Sequence, residues 1–145
     1  MSYLFDVSSI MNIIKHMKRG ALSILRGNYV LDLTMYEIGN ALWKDVTLFR
    51  ILTENEAIIA YKNILEILNR MSVIKPSNAE AILKLAVRAN LTYYDASYIV
   101  AASEKGLVLV TDDEVLIRRI NDKRREIREI LGWEVTIKTS RDFMG

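Results

Sequence analysis

Cysteine is absent from the 145 residues, and histidine and proline occur once each, as His16 and Pro76. Without cysteine there is no disulfide framework, no thiol nucleophile and no thiolate ligand, and one imidazole cannot build a zinc site. Any metal here must be held by oxygen. No stretch reaches the ~20 apolar residues of a membrane span. The opening Met1 to Asp6 places an acid where a secretory leader carries basic and then apolar residues. A cytoplasmic protein without membrane association is therefore expected. Repeats, low-complexity tracts and linkers rich in Pro, Gly or Ser are also missing, so one domain spanning 1–145 is expected. No glycine-rich phosphate loop is present.

What is present is an alternation of short apolar runs and longer helical patterns. Tyr3-Leu-Phe, Tyr29-Val-Leu, Val73-Ile, Leu107-Val-Leu-Val and Val135-Thr-Ile read as strands. Between them Ile10/Ile13/Ile14/Met17, Tyr61/Ile64/Leu65/Leu68 and Ala79/Ile82/Leu83/Ala86 have the i, i+3, i+4, i+7 spacing of a helix with one apolar stripe. Gly20, Gly27, Gly106 and Gly132 fall where helices can end in a left-handed residue. Ser77-Asn-Ala-Glu80, after Pro76, reads as a capping box. This βα alternation predicts an α/β fold with a mostly parallel sheet covered on both faces. In such sheets the chemistry gathers beyond the carboxyl ends of the strands.

Four acidic positions fall at that edge, the last offering two adjacent candidates. Asp6 follows the first run directly, and Asp112-Asp113 follow Leu-Val-Leu-Val-Thr111, the most apolar strand. Glu37 and Asp95 lie near the starts of helices that follow apolar runs. Converging carboxylates repel one another and raise one another's pKa, a penalty that a hard divalent cation removes. Mg²⁺ or Mn²⁺ held by carboxylates suits phosphodiester hydrolysis. Setting these four acids aside leaves 14 of the 18 carboxylates against 20 Lys and Arg, an excess of six positive charges. A basic surface around an acidic pocket suits a polyanionic substrate. The alternative is capping: Thr34-x-x-Glu37, Thr92-x-x-Asp95 and Thr111-x-x-Glu114 each have the spacing of a helix N-terminus.

Asp6-Val-Ser8, Glu37-x-x-Asn40-Ala-Leu, Thr92-Tyr-Tyr-Asp95-Ala and Leu109-Val-Thr111-x-Asp113, in this order, resemble the PIN-domain nucleases and within them the VapC-type toxins. The resemblance spans nearly the whole chain. It implies a three-layer α/β/α fold with a five-stranded parallel sheet, and metal-dependent endonucleolytic cleavage of RNA. It makes Asp6, Glu37, Asp95 and Asp113 the catalytic and metal-binding acids, with Ser8 and Thr111 as polar supports. Asn40, one turn after Glu37, is placed to orient it, or to make an interhelical hydrogen bond. The family has one acid in the Thr-x-Asp position; spacing selects Asp113 and leaves Asp112 as an N-cap or supporting group.

Lys15, Arg118, Arg119 and Arg124 are candidates for holding RNA phosphates, or are members of solvated helix faces. His16 reads as a surface or structural residue. Trp43, Trp133, Tyr93 and Tyr94 are candidates for stacking bases, or for packing at the rim of the core, the commoner use of aromatics at element boundaries. Met35 to Arg70, with apolar Val46, Leu48 and Phe49 near a helix break, resembles the region where VapC-like proteins meet an antitoxin peptide or a second protomer; burial of the same residues in the core is the alternative. The expected partners are thus RNA, a small antitoxin and a second copy of the chain. RNA maturation without an antitoxin, or RNA binding without catalysis, are the competing functions. A receiver domain would need a pair of acids after the first strand and one after the third, and the chain has neither.

Overall fold

The computed structural model describes all residues from Met1 to Gly145. Strands and helices alternate as β1 (Tyr3–Phe5), α1 (Val7–Met17), α2 (Ala21–Leu25), β2 (Tyr29–Leu31), α3 (Thr34–Thr47), α4 (Glu54–Leu68), β3 (Ser72–Ile74), α5 (Ala79–Ala89), α6 (Tyr93–Lys105), β4 (Val108–Val110), α7 (Glu114–Asp122), α8 (Arg124–Leu131) and β5 (Ile137–Lys138). Two 3-10 turns, Lys18–Gly20 and Ser140–Phe143, complete the chain. All five strands are parallel, in the order β3-β2-β1-β4-β5. Leu4 pairs with Tyr29 on one side and with Leu109 on the other, so β1 lies at the centre.

The period of two along each strand builds the layers. Leu4, Leu31 and Leu109 face a core shared with α5, α6, α7 and α8. Their neighbours Phe5, Val30 and Val110 face the opposite core, with α1, α2, α3 and α4. This is the three-layer α/β/α arrangement that the resemblance implies. Because the chain fills β2 and β3 on one side before crossing to β4 and β5, the strand order reverses between β1 and β4, and a crevice opens at their carboxyl ends. No helix is long and apolar enough to cross a membrane.

Several local expectations need correction. Gly20 is right-handed, at φ −71°; α1 instead ends in Lys18, at φ 48° and ψ −113°. Gly27, Gly106 and Gly132 do have positive φ. Asn78, not Ser77, caps α5 by accepting from Ala81 N, because Glu104 at the end of α6 takes the Ser77 and Asn78 amides. Leu83 on α5 is exposed and Leu85 takes its place in the core. The last strand is shorter than Val135-Thr-Ile and begins at Ile137, Val135 being buried just before it.

Lys18 holds a backbone conformation that a side chain resists by about 1 kcal/mol or more, and glycine does not. Lys18→Gly is therefore expected to raise the melting temperature by a few degrees. A lower melting temperature in thermal denaturation would contradict this.

Candidate active site

The crevice between β1 and β4 collects acids because both strands end in them. Asp6 closes β1 and caps α1: its Oδ1 accepts from Ser8 Oγ (2.7 Å), Ser9 N (3.0 Å) and Ser9 Oγ (3.1 Å). Asp6 is only 6% exposed. Burial pushes its pKa up, against hydrogen bonds from Thr111, Ser9 and Ser8 that lower it. From β4, fully buried Thr111 lies 3.3 Å from Ser8 Oγ and accepts from Asp113 N (3.1 Å). Ser8 Oγ in turn accepts from Asp112 N at 2.9 Å. Ser8 and Thr111 thus tie the two strand ends together.

Glu37 and Asp95 come from the first turns of α3 and α6. Glu37 is half-buried, and its pKa is raised to about 6 by burial first, then by the charges of Asp6 and Asp95, against a lowering hydrogen bond from Tyr98. Asp95 is also raised, by burial and then by the charge of Asp113, while Thr92 and Arg119 pull it down. The four acids therefore form a string of repelling neighbours, Asp6 to Glu37 to Asp95 to Asp113. No three of them close into a ready-made metal cage. Every ion pair of the protein lies elsewhere, at Lys84–Glu80, Arg125–Glu129 and Arg128–Glu134. Oxygen-only donors without a bonded cationic partner have the chemistry that a hard divalent ion requires.

The adjacent pair separates cleanly. Asp112 turns away from the string: its Oδ2 accepts from Asn12 Nδ2 and its Oδ1 from Ser140 N, both at 2.7 Å. Asp113 caps α7, accepting from Leu116 N at 3.1 Å, and carries the charge that Asp95 feels. Capping accounts for less than the spacings suggested. Thr92 does cap α6 by accepting from Asp95 N. Thr34, however, lies inside α3 and is buried, and Asp113 rather than Thr111 caps α7.

Tyr98 escaped the sequence reading. Its hydroxyl donates to Glu37 Oε1 at 2.6 Å and lies 2.7 Å from Thr34 Oγ1, which accepts from Leu31 N at 3.1 Å. A carboxylate only accepts, so the relay runs one way: Leu31 N–H to Thr34, Thr34 to Tyr98, Tyr98 to Glu37. Burial and the Glu37 charge raise the Tyr98 pKa far above its ordinary value, so this donor keeps its proton. Helical spacing carried the signal, since Tyr98 lies one turn after Asp95 and Thr34 one turn before Glu37.

The remaining candidates are dispersed. Asn40 is exposed and lines a hollow with Glu37. Arg119 is near enough to lower Asp95 and donates to Asn90 O at 3.0 Å. Arg124 bonds Asn121 Oδ1 and Val135 O, joining the α7–α8 junction to the segment before β5. Lys15 and Arg118 are exposed and bond none of the acids. His16 is exposed, with Nδ1 2.9 Å from Asn12 O. Trp133 packs at the rim of a core as expected, but Trp43, Tyr93 and Tyr94 are exposed.

The PIN domain family profile matches residues 3–123. Over 124 residues the chain is 35% identical to Exonuclease VapC9 of Pyrobaculum aerophilum, covering 81% of this chain and 84% of that protein. The crystal structure of PAE2754 from Pyrobaculum aerophilum matches with a TM-score of 0.75 at 28% identity, over 99% of this chain and 87% of that one. The structure of VapBC-1 from nontypeable Haemophilus influenzae matches with a TM-score of 0.57 at 17% identity, over 97% of this chain and 99% of that one, a likeness of fold alone.

Acids whose folded pKa is raised bind more protons in the folded state, so they lower stability as pH rises. For Glu37 the loss develops between its ordinary 4.5 and about 6 and persists above. Glu37→Gln is expected to stabilise the metal-free protein at neutral pH by on the order of 1 kcal/mol, after allowing for solvent screening of a half-buried group. The gain should vanish below pH 4.5. Tyr98→Phe removes a donor to the ionised form, and the Glu37 titration followed by carboxyl NMR should move above about 6. An unmoved midpoint would exclude the relay.

Proposed function

Since the chain belongs to the PIN-domain family, we propose that its strand-end acids are the active site of a divalent-metal-dependent ribonuclease hydrolysing RNA phosphodiesters. The observation that carries this reading is the string of carboxylates, three of the four partly or fully buried, that repel one another and bond no cation. Asp6, Glu37, Asp95 and Asp113 would hold Mg²⁺ or Mn²⁺. A divalent ion so held would supply the Lewis-acid chemistry that phosphodiester hydrolysis needs.

The chain's own groups fix the ligands. Ser8, Ser9 and the Ser9 amide pin Asp6 through one oxygen. Tyr98 occupies Glu37 Oε1, and no hydrogen bond of the protein takes Oε2. Asn40, exposed one turn from Glu37, is placed to orient the substrate or that carboxylate. Arg119 beside Asp95 is placed to take a phosphate, with Arg118 and Lys15 as outer contacts of the same electrostatic kind.

The same reading makes the protein the toxin of a VapBC-type pair, held by a small antitoxin and assembled as a homodimer. The VapC name of its Pyrobaculum relative and the shared fold of VapBC-1 support this. So does a groove between α3 and α4 of about 430 Å³, lined by Leu42, Trp43, Val46, Ala57, Ile58 and Tyr61 among others. Leu48, Phe49, Ile51 and Ile59 are exposed on the same helical pair and the turn that joins it, more apolar surface than an isolated protein needs there.

Purified protein is expected to cut linear RNA with Mg²⁺ or Mn²⁺. EDTA, Asp6→Asn or Asp95→Asn should each lower the rate by roughly 100-fold or more. Circular RNA tests the mode: cutting it requires endonucleolytic attack, whereas cutting only linear RNA would match the exonuclease name of the relative. Folded, metal-loaded protein that cuts neither would sink the proposal.

A further inference from the structure

We propose that the trough beside Glu37, walled by Tyr36 and Tyr94, is a stacking subsite for the nucleobases of single-stranded RNA. This rests on the ribonuclease reading above. Of seven tyrosines, three are exposed: Tyr36 at 72%, Tyr93 at 44% and Tyr94 at 62%. All three border two hollows that share Leu33 and Tyr94. The first, about 480 Å³, is lined by Leu33, Tyr36, Glu37, Asn40 and Tyr94. The second, about 250 Å³, continues past Tyr94 and Tyr93 to Lys75 and Pro76.

The acid string therefore opens, through Glu37, onto a path with aromatic walls and a cation at its far end. Lys75 is exposed and makes no ion pair, so it is available to a phosphate. Aromatic rings beside a phosphate-binding cation are the ingredients of single-strand binding, and stacking tolerates any base because each has a π-face. Asn40, with two donors and an acceptor, lies in the first hollow where a base edge would be read. A duplex keeps its bases stacked on each other and offers none to these rings. A protein partner would be better served by the α3–α4 groove, where the exposed aliphatic residues are concentrated.

The experiment uses a single-stranded oligoribonucleotide carrying 2-aminopurine, and the same strand in a duplex. Wild type should quench the single strand's fluorescence on binding. Tyr36→Ala and Tyr94→Ala should each weaken that binding roughly 5- to 100-fold and raise KM with kcat nearly unchanged. Tyr94→Phe, which keeps the ring, should restore both, and duplex binding should not respond. Lys75→Ala should reduce the salt dependence by about one phosphate contact. If wild type cuts RNA and both alanine variants bind and cut equally well, the trough is not a base subsite and the nuclease reading stands. If the variants instead lose only a protein partner, the trough belongs to that partner and this proposal is overturned. Wild type that neither binds nor cuts removes both readings.

Discussion

The strand ends are organised by the way a nearly inaccessible carboxylate is satisfied. Asp6 cannot be buried at the end of the central strand unless donors converge on it, and Ser8, Ser9 and the Ser9 amide supply them. The same hydroxyls reach across the switch point: the single Ser9 hydroxyl proton is shared between Asp6 Oδ1 and Val110 O, 3.1 and 2.9 Å away, and Ser8 Oγ accepts from Asp112 N. One acid thus sets the junction between β1 and β4, from which α1 and α7 both depart. Removing its donors would loosen the seam between the two halves of the sheet as well as a single side chain.

The other two acids reach this seam from opposite layers. α3 belongs with the helices packed under Phe5 and Val30, whereas α6 belongs with those over Leu4 and Leu109. Tyr98 bridges the layers at their shared edge, one ring from α6 bonding both Thr34 and Glu37 of α3. The site is therefore held by cross-layer hydrogen bonds in a place where apolar packing would leave no room for charge. The α1–α4 and α5–α8 sides of the sheet meet here through polar bonds.

Much of this was legible in the sequence, for reasons that differ by residue. Strand positions could be read because short apolar runs such as Leu107-Val-Leu-Val stand between longer segments of helical period, although the ladder trims Leu107 and Val135 from the strands. Asp6 could be placed because it directly follows an apolar run, and Asp113 because the Thr-x-Asp spacing of the family resemblance favoured it over Asp112. Thr34 looked like a cap because spacing alone does not show whether a hydroxyl faces its own helix or a neighbour. Tyr98 was missed for a related reason: its spacing from Asp95 was visible, but its partner, Glu37, lies 61 residues away. The Ser77 cap failed because Glu104, distant in sequence, reaches that turn first. In each miss a long-range polar contact overrode a sound local rule.

The two neighbouring acids of the β4 loop carry a further consequence. Asp112 gives both oxygens to the protein, one to α1 and one to the amide that opens the final 3-10 turn, while Asp113 faces outward and caps α7. One peptide unit separates an anion used as an internal clasp from one offered to the crevice. Lengthening or shortening the loop by a residue would exchange these duties, detaching the chain's end from α1 and presenting the wrong charge to Asp95. Loop length, more than loop composition, is what must stay constant here for the tail and the crevice to be built at once.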